Sequence, residues 1–98
     1  MAPPRGLRLR LFVAGDSPDS ALAIANLEAL FPSGERSGVE IEIVDVRREP
    51  ARAARDGILV TPTLLKLSPS PRCRILGNLK SREALLPLLG IEPARPAP

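Results

Sequence analysis

The 98 residues of this chain have the size of one small domain, and 44% of them are apolar. Phe12 and Phe31 are the only aromatic residues, so the core is expected to be aliphatic, and the usual stacking platforms for single-stranded nucleic acid are missing. The formal net charge is +3 and almost all of the basic residues are arginine, which suits an acidic protein surface at least as well as phosphate. The alternative is that these charges only solvate the surface. We expect no nucleic acid partner.

The sequence is poor in catalytic groups. It has no histidine and a single cysteine, Cys73, which exclude an imidazole base and any internal disulfide or Cys-x-x-Cys chemistry. We expect no catalytic residue, no metal and no cofactor. There is neither an N-terminal apolar signal region nor a run of about 18 apolar residues, so we expect a cytoplasmic protein without membrane contact.

The proline and glycine content divides the chain into three parts. Residues 1–6 are predicted to be a flexible N-terminus, residues 7–91 a single domain, and residues 92–98 a disordered, proline-rich tail.

The first half of that domain has the pattern of a strand, a helix and a second strand. Apolar and basic residues alternate from residue 7, which predicts a strand over 7–13. Ser17 as N-cap and Pro18 at the first helical position begin a helix over 18–31. Its predicted apolar stripe consists of Leu22, Ile24, Leu27, Leu30 and Phe31.

Residues 39–46 show the clearest alternation in the chain, with Val39, Ile41 and Ile43 on one predicted face. A strand, a helix and a strand of these lengths predict a right-handed βαβ unit with parallel strands.

The second half is predicted to begin with a short helix over residues 51–57. Residues 63–67 and 72–76 follow as an antiparallel hairpin around a loop at 68–71. Ser81 is the N-cap of a last helix, and Pro87 inside it predicts a kink or an early end.

Pro62 separates two apolar runs. Because it has no N–H group, it cannot donate a backbone hydrogen bond to a neighbouring strand at this point. The predicted order βαβ-α-ββα is the α/β topology of the thioredoxin-like fold, in which a cis proline begins the third strand and faces the start of the first helix. We expect Pro62 to have that role; the alternative is a trans proline in a loop.

In a thioredoxin the two thiols would stand at the positions of Asp16 and Asp19, so dithiol exchange is excluded. We interpret the two carboxylates as helix N-terminal acids, and Cys73, in a predicted strand, as inert.

Five segments together resemble the KaiB family of circadian clock proteins. They are residues 11–20 (LFVAGDSPDS), 44–46 (VDV), 58–64 (ILVTPTL), 74–79 (RILGNL) and 82–83 (RE). The resemblance implies a non-enzymatic clock or timing regulator that binds a KaiC-like hexameric ATPase and modulates its phosphorylation cycle. It also implies a KaiA-like protein or a sensor histidine kinase as possible further partners.

KaiB proteins are metamorphic, which implies an alternative fold for this chain. Their ground state, a dimer or tetramer, has the order βαββααβ, and the thioredoxin-like monomer binds the ATPase. Such folds coexist only when they differ by a few kcal/mol. The resemblance assigns the switching half to residues that include Thr61, Pro62, Pro69 and Pro71.

This chain departs from the family at Leu88, where KaiB proteins carry glycine nearby. Leucine favours helix over glycine by roughly 0.5–1 kcal/mol, so we expect the thioredoxin-like form, although Pro87 in the same helix opposes it. The resemblance assigns ATPase binding first to Lys66 and Arg74, and then to Arg47, Arg48 and Arg72. The alternative is that these charges only protect an exposed strand edge.

Two other functions stay open at this point. One is a divergent thioredoxin-like redox protein, and the other is an adaptor that docks a sensor kinase.

Overall fold

Four strands, three α-helices and one 3₁₀ helix make up residues 6–91, the part of the chain that the computed structural model describes. In chain order they are β1 (Leu7–Val13), α1 (Pro18–Leu30), the 3₁₀ helix (Ser33–Glu35), β2 (Val39–Asp45), α2 (Pro50–Arg55), β3 (Thr63–Ser68), β4 (Cys73–Leu76) and α3 (Arg82–Leu88). The predicted order is confirmed, with helix and strand ends within two residues of those expected. The predictions of a flexible N-terminus and a disordered tail concern residues 1–6 and 92–98, which, apart from Gly6, lie outside the described residues.

The strands form one sheet in the order β2-β1-β3-β4. β1 pairs in parallel with β2 and antiparallel with β3, and β3 pairs antiparallel with β4. The parallel pair confirms the predicted βαβ unit. Both β2 and β4 are edge strands, and the second half has the ββα order of a thioredoxin-like domain.

The sheet has an apolar cluster on each face. Alternate residues of β1 pack with α1 and α3 in the larger cluster, which contains Leu7, Leu9, Leu11, Val13, Leu27 and Leu85. The smaller cluster lies under α2 and contains Phe12, Val44, Ala53 and Leu65. Alanine is the only buried residue of α2, which lets this short helix approach the sheet closely.

The predicted apolar stripe of α1 is partly wrong. Leu22 is exposed, and the buried positions are Ser20, Ala23, Leu27 and Leu30. These follow the spacing i, i+3, i+7 and i+10 of a helix face, so a small polar residue and an alanine occupy the contact where leucine was expected. Ser20 is accommodated because its Oγ accepts a hydrogen bond from the backbone N–H of Ala14 at 3.0 Å.

Two further apolar positions are exposed. Ile43 lies on the predicted inner face of β2 but is 43% exposed, because β2 is an edge strand that its neighbours cover incompletely. Leu59, in the predicted apolar run before Pro62, is 93% exposed, since residues 56–62 form a loop. Apolar character alone did not distinguish this loop from a strand.

Pro87 lies inside α3, and the helix ends one residue later. Gly90, with φ of 77°, follows the last turn, and its N–H donates to the carbonyl of Pro87 at 3.1 Å. The N–H of Ile91 donates to the carbonyl of Leu86 at 2.9 Å, and both side chains are buried. These are the bonds of a Schellman C-cap. They confirm the early end predicted for this helix.

Candidate functional site

The N-terminus of α1 is closed by serine and carries no thiol. Ser17 is the N-cap and accepts a hydrogen bond from the N–H of Ser20 at 3.3 Å. Asp19 lies in the first turn, where a carboxylate is favoured by the helix dipole. Both Asp16 and Asp19 are exposed. This position therefore has the groups of an ordinary helix start.

Asp45, at the end of β2, connects the loop before α1 to the loop before α2. Its Oδ1 accepts hydrogen bonds from the backbone N–H of Arg47 at 2.9 Å and of Gly15 at 3.2 Å. These donors, that of Arg47 first, lower the pKa of the Asp45 carboxyl below its ordinary value. The guanidinium of Arg47 lies over Gly15, occupying the space that a Cβ there would need.

Thr61 and Pro62 lie at the same end of the sheet, because β3 begins beside the last residues of β1. The peptide bond between them is cis. Thr63, the first residue of β3, donates its hydroxyl to the carbonyl of Val60 at 2.7 Å. The preceding loop presents Leu59 and Val60 to solvent, beside a cavity of about 430 Å³.

The basic residues assigned by resemblance to ATPase binding do not form one surface. Arg47 and Arg48 are exposed in the loop after β2. Lys66 lies opposite Leu9 and Cys73 on the face of the sheet that α1 and α3 cover, and it is 3% exposed. The edge-protection alternative is therefore wrong for Lys66, which lies on an interior strand.

Arg74 lies on the opposite face from Lys66, since adjacent strand residues alternate. Its guanidinium donates to the carbonyls of Gly57 at 2.7 Å and Asp56 at 2.8 Å, at the C-terminal end of α2. Arg72, exposed immediately before β4, lines an open cavity of about 450 Å³ together with Arg74. Arg72 and Arg74 therefore form a basic border along one side of the β4 edge.

A network of ion pairs covers the neighbouring part of this face. Arg10 donates to Glu42 at 2.8 Å and to Asp56 at 2.9 Å, and Arg52 donates to Glu42 at 2.6 Å. The bond from Arg52, followed by that from Arg10, lowers the pKa of Glu42 to about 2. The sequence analysis did not identify this network. The signal was available, because Arg8 and Arg10 alternate along β1 in register with Glu40 and Glu42 along β2.

The residues assigned by resemblance to switching lie apart from one another. Pro69 and Pro71 are in the β3–β4 loop, and the peptide bonds preceding them are cis. Leu88, the last residue of α3, is 48% exposed. The Sγ of Cys73 contacts the carbonyl of Leu88 at 3.5 Å, which connects the start of β4 to the end of α3.

Within residues 6–91, no three side chains among aspartate, glutamate and cysteine come together in a group that could hold a metal ion. In the same range, none of the helices has both the length and the apolar character needed to cross a bilayer.

Comparison with known proteins gives a family match over most of the chain. Residues 10–91 match the family described as KaiB domain. The chain is 37% identical over 86 residues to the circadian clock oscillator protein KaiB of Prochlorococcus marinus, covering 88% of this chain and 74% of that protein. It is 38% identical over 86 residues to the protein of the same name from Parasynechococcus marenigrum, covering 88% and 83%.

Solved structures similar to this one have the thioredoxin-like fold. A mutant thioredoxin from Halobacterium salinarum matches with a TM-score of 0.70 and 21% identity, covering 94% of this chain and 80% of that one. The N-terminal domain of Synechococcus elongatus SasA matches with a TM-score of 0.61 and 24% identity, covering 97% and 94%. Identities at this level establish the fold and leave the function to other evidence.

Proposed function

Because the chain belongs to the KaiB family, we propose that it is a non-enzymatic clock or timing regulator that binds a KaiC-like hexameric ATPase in the cytoplasm and modulates its phosphorylation cycle. The observation that supports this proposal is the order of the strands and the helix in the second half of the domain. Residues 63–88 are arranged as β3, β4 and α3, the arrangement that the family resemblance associates with ATPase binding.

The charge distribution supports an acidic partner surface. Arg72 and Arg48 are exposed and have no ion pair within residues 6–91. Arg74 is held in place by two backbone carbonyls, so its charge has a fixed position on the surface. Lys66 lines the same cavity as Arg72 and Arg74 but is only 3% exposed, so among the proposed binding residues we assign it the smallest direct contribution.

We extend the proposal to fold switching between this form and a βαββααβ form, which would be the oligomeric ground state. Leu88 supports the present form, because it keeps helix propensity in the last turn of α3 where a glycine would lower it. We propose a KaiA-like protein and a sensor histidine kinase as further partners. Each would either compete with the ATPase for this chain or bind after the ATPase has bound.

A redox function is disfavoured by the geometry. Aspartates occupy the two positions of the missing thiols at the α1 N-terminus, and Cys73 lies on β4 with its Sγ directed to a carbonyl of α3. Cys73 is also the only cysteine of the sequence, so no second thiol is available for dithiol exchange.

The proposal is tested by incubating the chain with a KaiC homologue from the same organism under ATP hydrolysis for a day, followed by co-purification. We expect a stable complex, and its complete absence would contradict the partner assignment. Arg72→Gln is expected to weaken the complex a few-fold, in line with about 0.2–1 kcal/mol for an exposed charge pair. Arg8→Gln is the matched control, because Arg8 is exposed on β1, which β3 separates from β4, and it pairs with Glu40.

A further inference from the structure

Within residues 6–91, the β4 edge carries backbone groups without a strand partner. The N–H of Gly77 donates to the carbonyl of Pro62 at 3.0 Å, so these two residues form a hydrogen-bonded pair. Hydrogen-bonded and non-hydrogen-bonded pairs alternate along an antiparallel ladder. Leu76, opposite Thr63, and Arg74, opposite Leu65, are therefore non-hydrogen-bonded positions, whose N–H and C=O groups point away from β3.

The two sides of this edge differ in chemistry. On the α2 side lies the open cavity of about 450 Å³ with Arg72 and Arg74. On the α3 side a groove of about 250 Å³ is lined mainly by apolar residues, among them Ile75, Leu79 and Leu85. Leu76 and Leu88 also line this groove and are 62% and 48% exposed.

We propose that the β4 edge binds an extended acidic segment of a partner protein, which adds a fifth strand beside Arg74 and Leu76. Side chains of a strand alternate between its two sides. The segment that fits therefore alternates carboxylates, facing Arg72 and Arg74, with apolar residues that enter the groove beside α3. This goes beyond the proposed function, since it holds whichever protein supplies the segment.

Charge decides between an acidic segment and a second copy of this chain. Pairing of β4 with its own copy around a two-fold axis would bring Arg74 of both copies into a ribbon of four residues per strand, with Arg72 immediately before each strand and strands about 5 Å apart. Like charges that face each other across strands are destabilising. The arginines that discourage self-pairing of this edge are thus the groups that attract an acidic strand.

The first experiment uses an acetylated and amidated octapeptide that alternates glutamate and valine, added to the full chain and followed by amide hydrogen exchange. The amides of Arg74 and Leu76 are expected to become protected, while those of Cys73 and Ile75, already directed to β3, are expected to change little. Methylating the peptide nitrogens that face β4 is expected to abolish protection, and methylating the alternate nitrogens to preserve it.

A peptide with lysine in place of glutamate is expected to bind at least about tenfold more weakly, because it places like charges beside the arginines. Arg72→Glu is expected to weaken the glutamate peptide by about fivefold, and Arg8→Glu to leave it unchanged. The proposal would be overturned if the Arg74 and Leu76 amides stay unprotected at millimolar peptide, or if protection appears at β2 instead. Equal binding of the glutamate and lysine peptides would also overturn it. So would protection of the same amides by dimerisation without peptide. None of these outcomes depends on the ATPase, so the proposed function is tested separately.

Discussion

The carboxylate of Asp45 accepts a hydrogen bond from the backbone N–H of Gly15, at 3.2 Å. The two residues are 30 positions apart: Asp45 is the last residue of β2, and Gly15 lies in the loop after the neighbouring parallel strand β1. The bond therefore connects two loops at the same end of the sheet. This end of the fold is where a thioredoxin would carry its reactive thiols.

Replacing Asp45 with alanine is expected to lower the free energy of unfolding by about 1–2 kcal/mol, because two backbone N–H groups lose their acceptor. Urea denaturation measures the change. Asp16→Ala is the control, as Asp16 is an exposed carboxylate in the same loop, and its effect is expected to be a few tenths of a kcal/mol. Equal effects of the two substitutions would contradict the connecting role of Asp45.

Gly15→Ala is expected to destabilise the fold by about 1 kcal/mol, because the residue has φ of 51° and a Cβ is disfavoured in that conformation. The Cβ would also displace the guanidinium of Arg47, the mobile end of a long side chain. We therefore expect the same cost in an Arg47→Ala background. A double-mutant cycle checks this, and a coupling free energy of half the total or more would show that the contact with Arg47, and not the backbone, sets the cost.

The free energy of unfolding is expected to depend on Glu42 at acid pH. Its pKa is about 2 in the folded protein and near 4.5 when unperturbed, so its stabilising effect is complete above pH 4.5 and is lost as the pH falls towards 2. Because the side chain is 47% exposed, screening limits that effect to about 1 kcal/mol.

Glu42→Gln is thus expected to be less stable than the parent at pH 7 and equal to it near pH 2, as measured by thermal or urea unfolding at several pH values. Glu28→Gln is a suitable control, since the Glu28 carboxylate is 3.9 Å from the guanidinium of Arg36. A difference for Glu42→Gln that stays constant from pH 7 to pH 2 would contradict the assignment.

Leu88→Gly is expected to destabilise the present arrangement of α3 by roughly 0.5–1 kcal/mol through helix propensity, in addition to the loss of the half-exposed side chain. Leu88→Ala removes the side chain but keeps the propensity, and the difference between the two variants isolates the backbone effect. Urea unfolding measures that difference in free energy, and backbone NMR secondary shifts over residues 61–89 show which residues are in helix and which in strand. If switching occurs, the glycine variant shifts towards helix in the β3–β4 region; unchanged shifts in both variants would argue against a role for Leu88 in the choice of fold.

The alternation of β1 and β2 and the helix start at Ser17 were enough to predict the first half of the fold. The sequence contains these signals locally, in strand period and in capping residues. The burial of α1 was predicted less well, because Ser20 is tolerated in the core only through its bond to Ala14, which depends on the turn between β1 and α1.

The candidate binding residues were chosen by resemblance, and their grouping could not be predicted. Whether Lys66 and Arg74 share a face depends on the register of β3 against β4, and a shift of one residue exchanges the faces. That register depends on the loop at 68–71 and on the packing of Ile75 of β4 against the larger cluster, and the second of these is a tertiary feature. The exposure of Leu59 could not be predicted for a related reason, since an apolar triplet in a loop has the composition of a short strand.

The contact between Cys73 and the carbonyl of Leu88 has a practical consequence. Cys73 is the only thiol in the sequence, is half-buried, and lies where β4 meets the end of α3. Its rate of reaction with a thiol reagent therefore reports on the conformation of this half of the protein. Any rearrangement that separates β4 from α3 changes the access of the reagent to the Cys73 sulfur. The natural chain can be followed in this way without an introduced label.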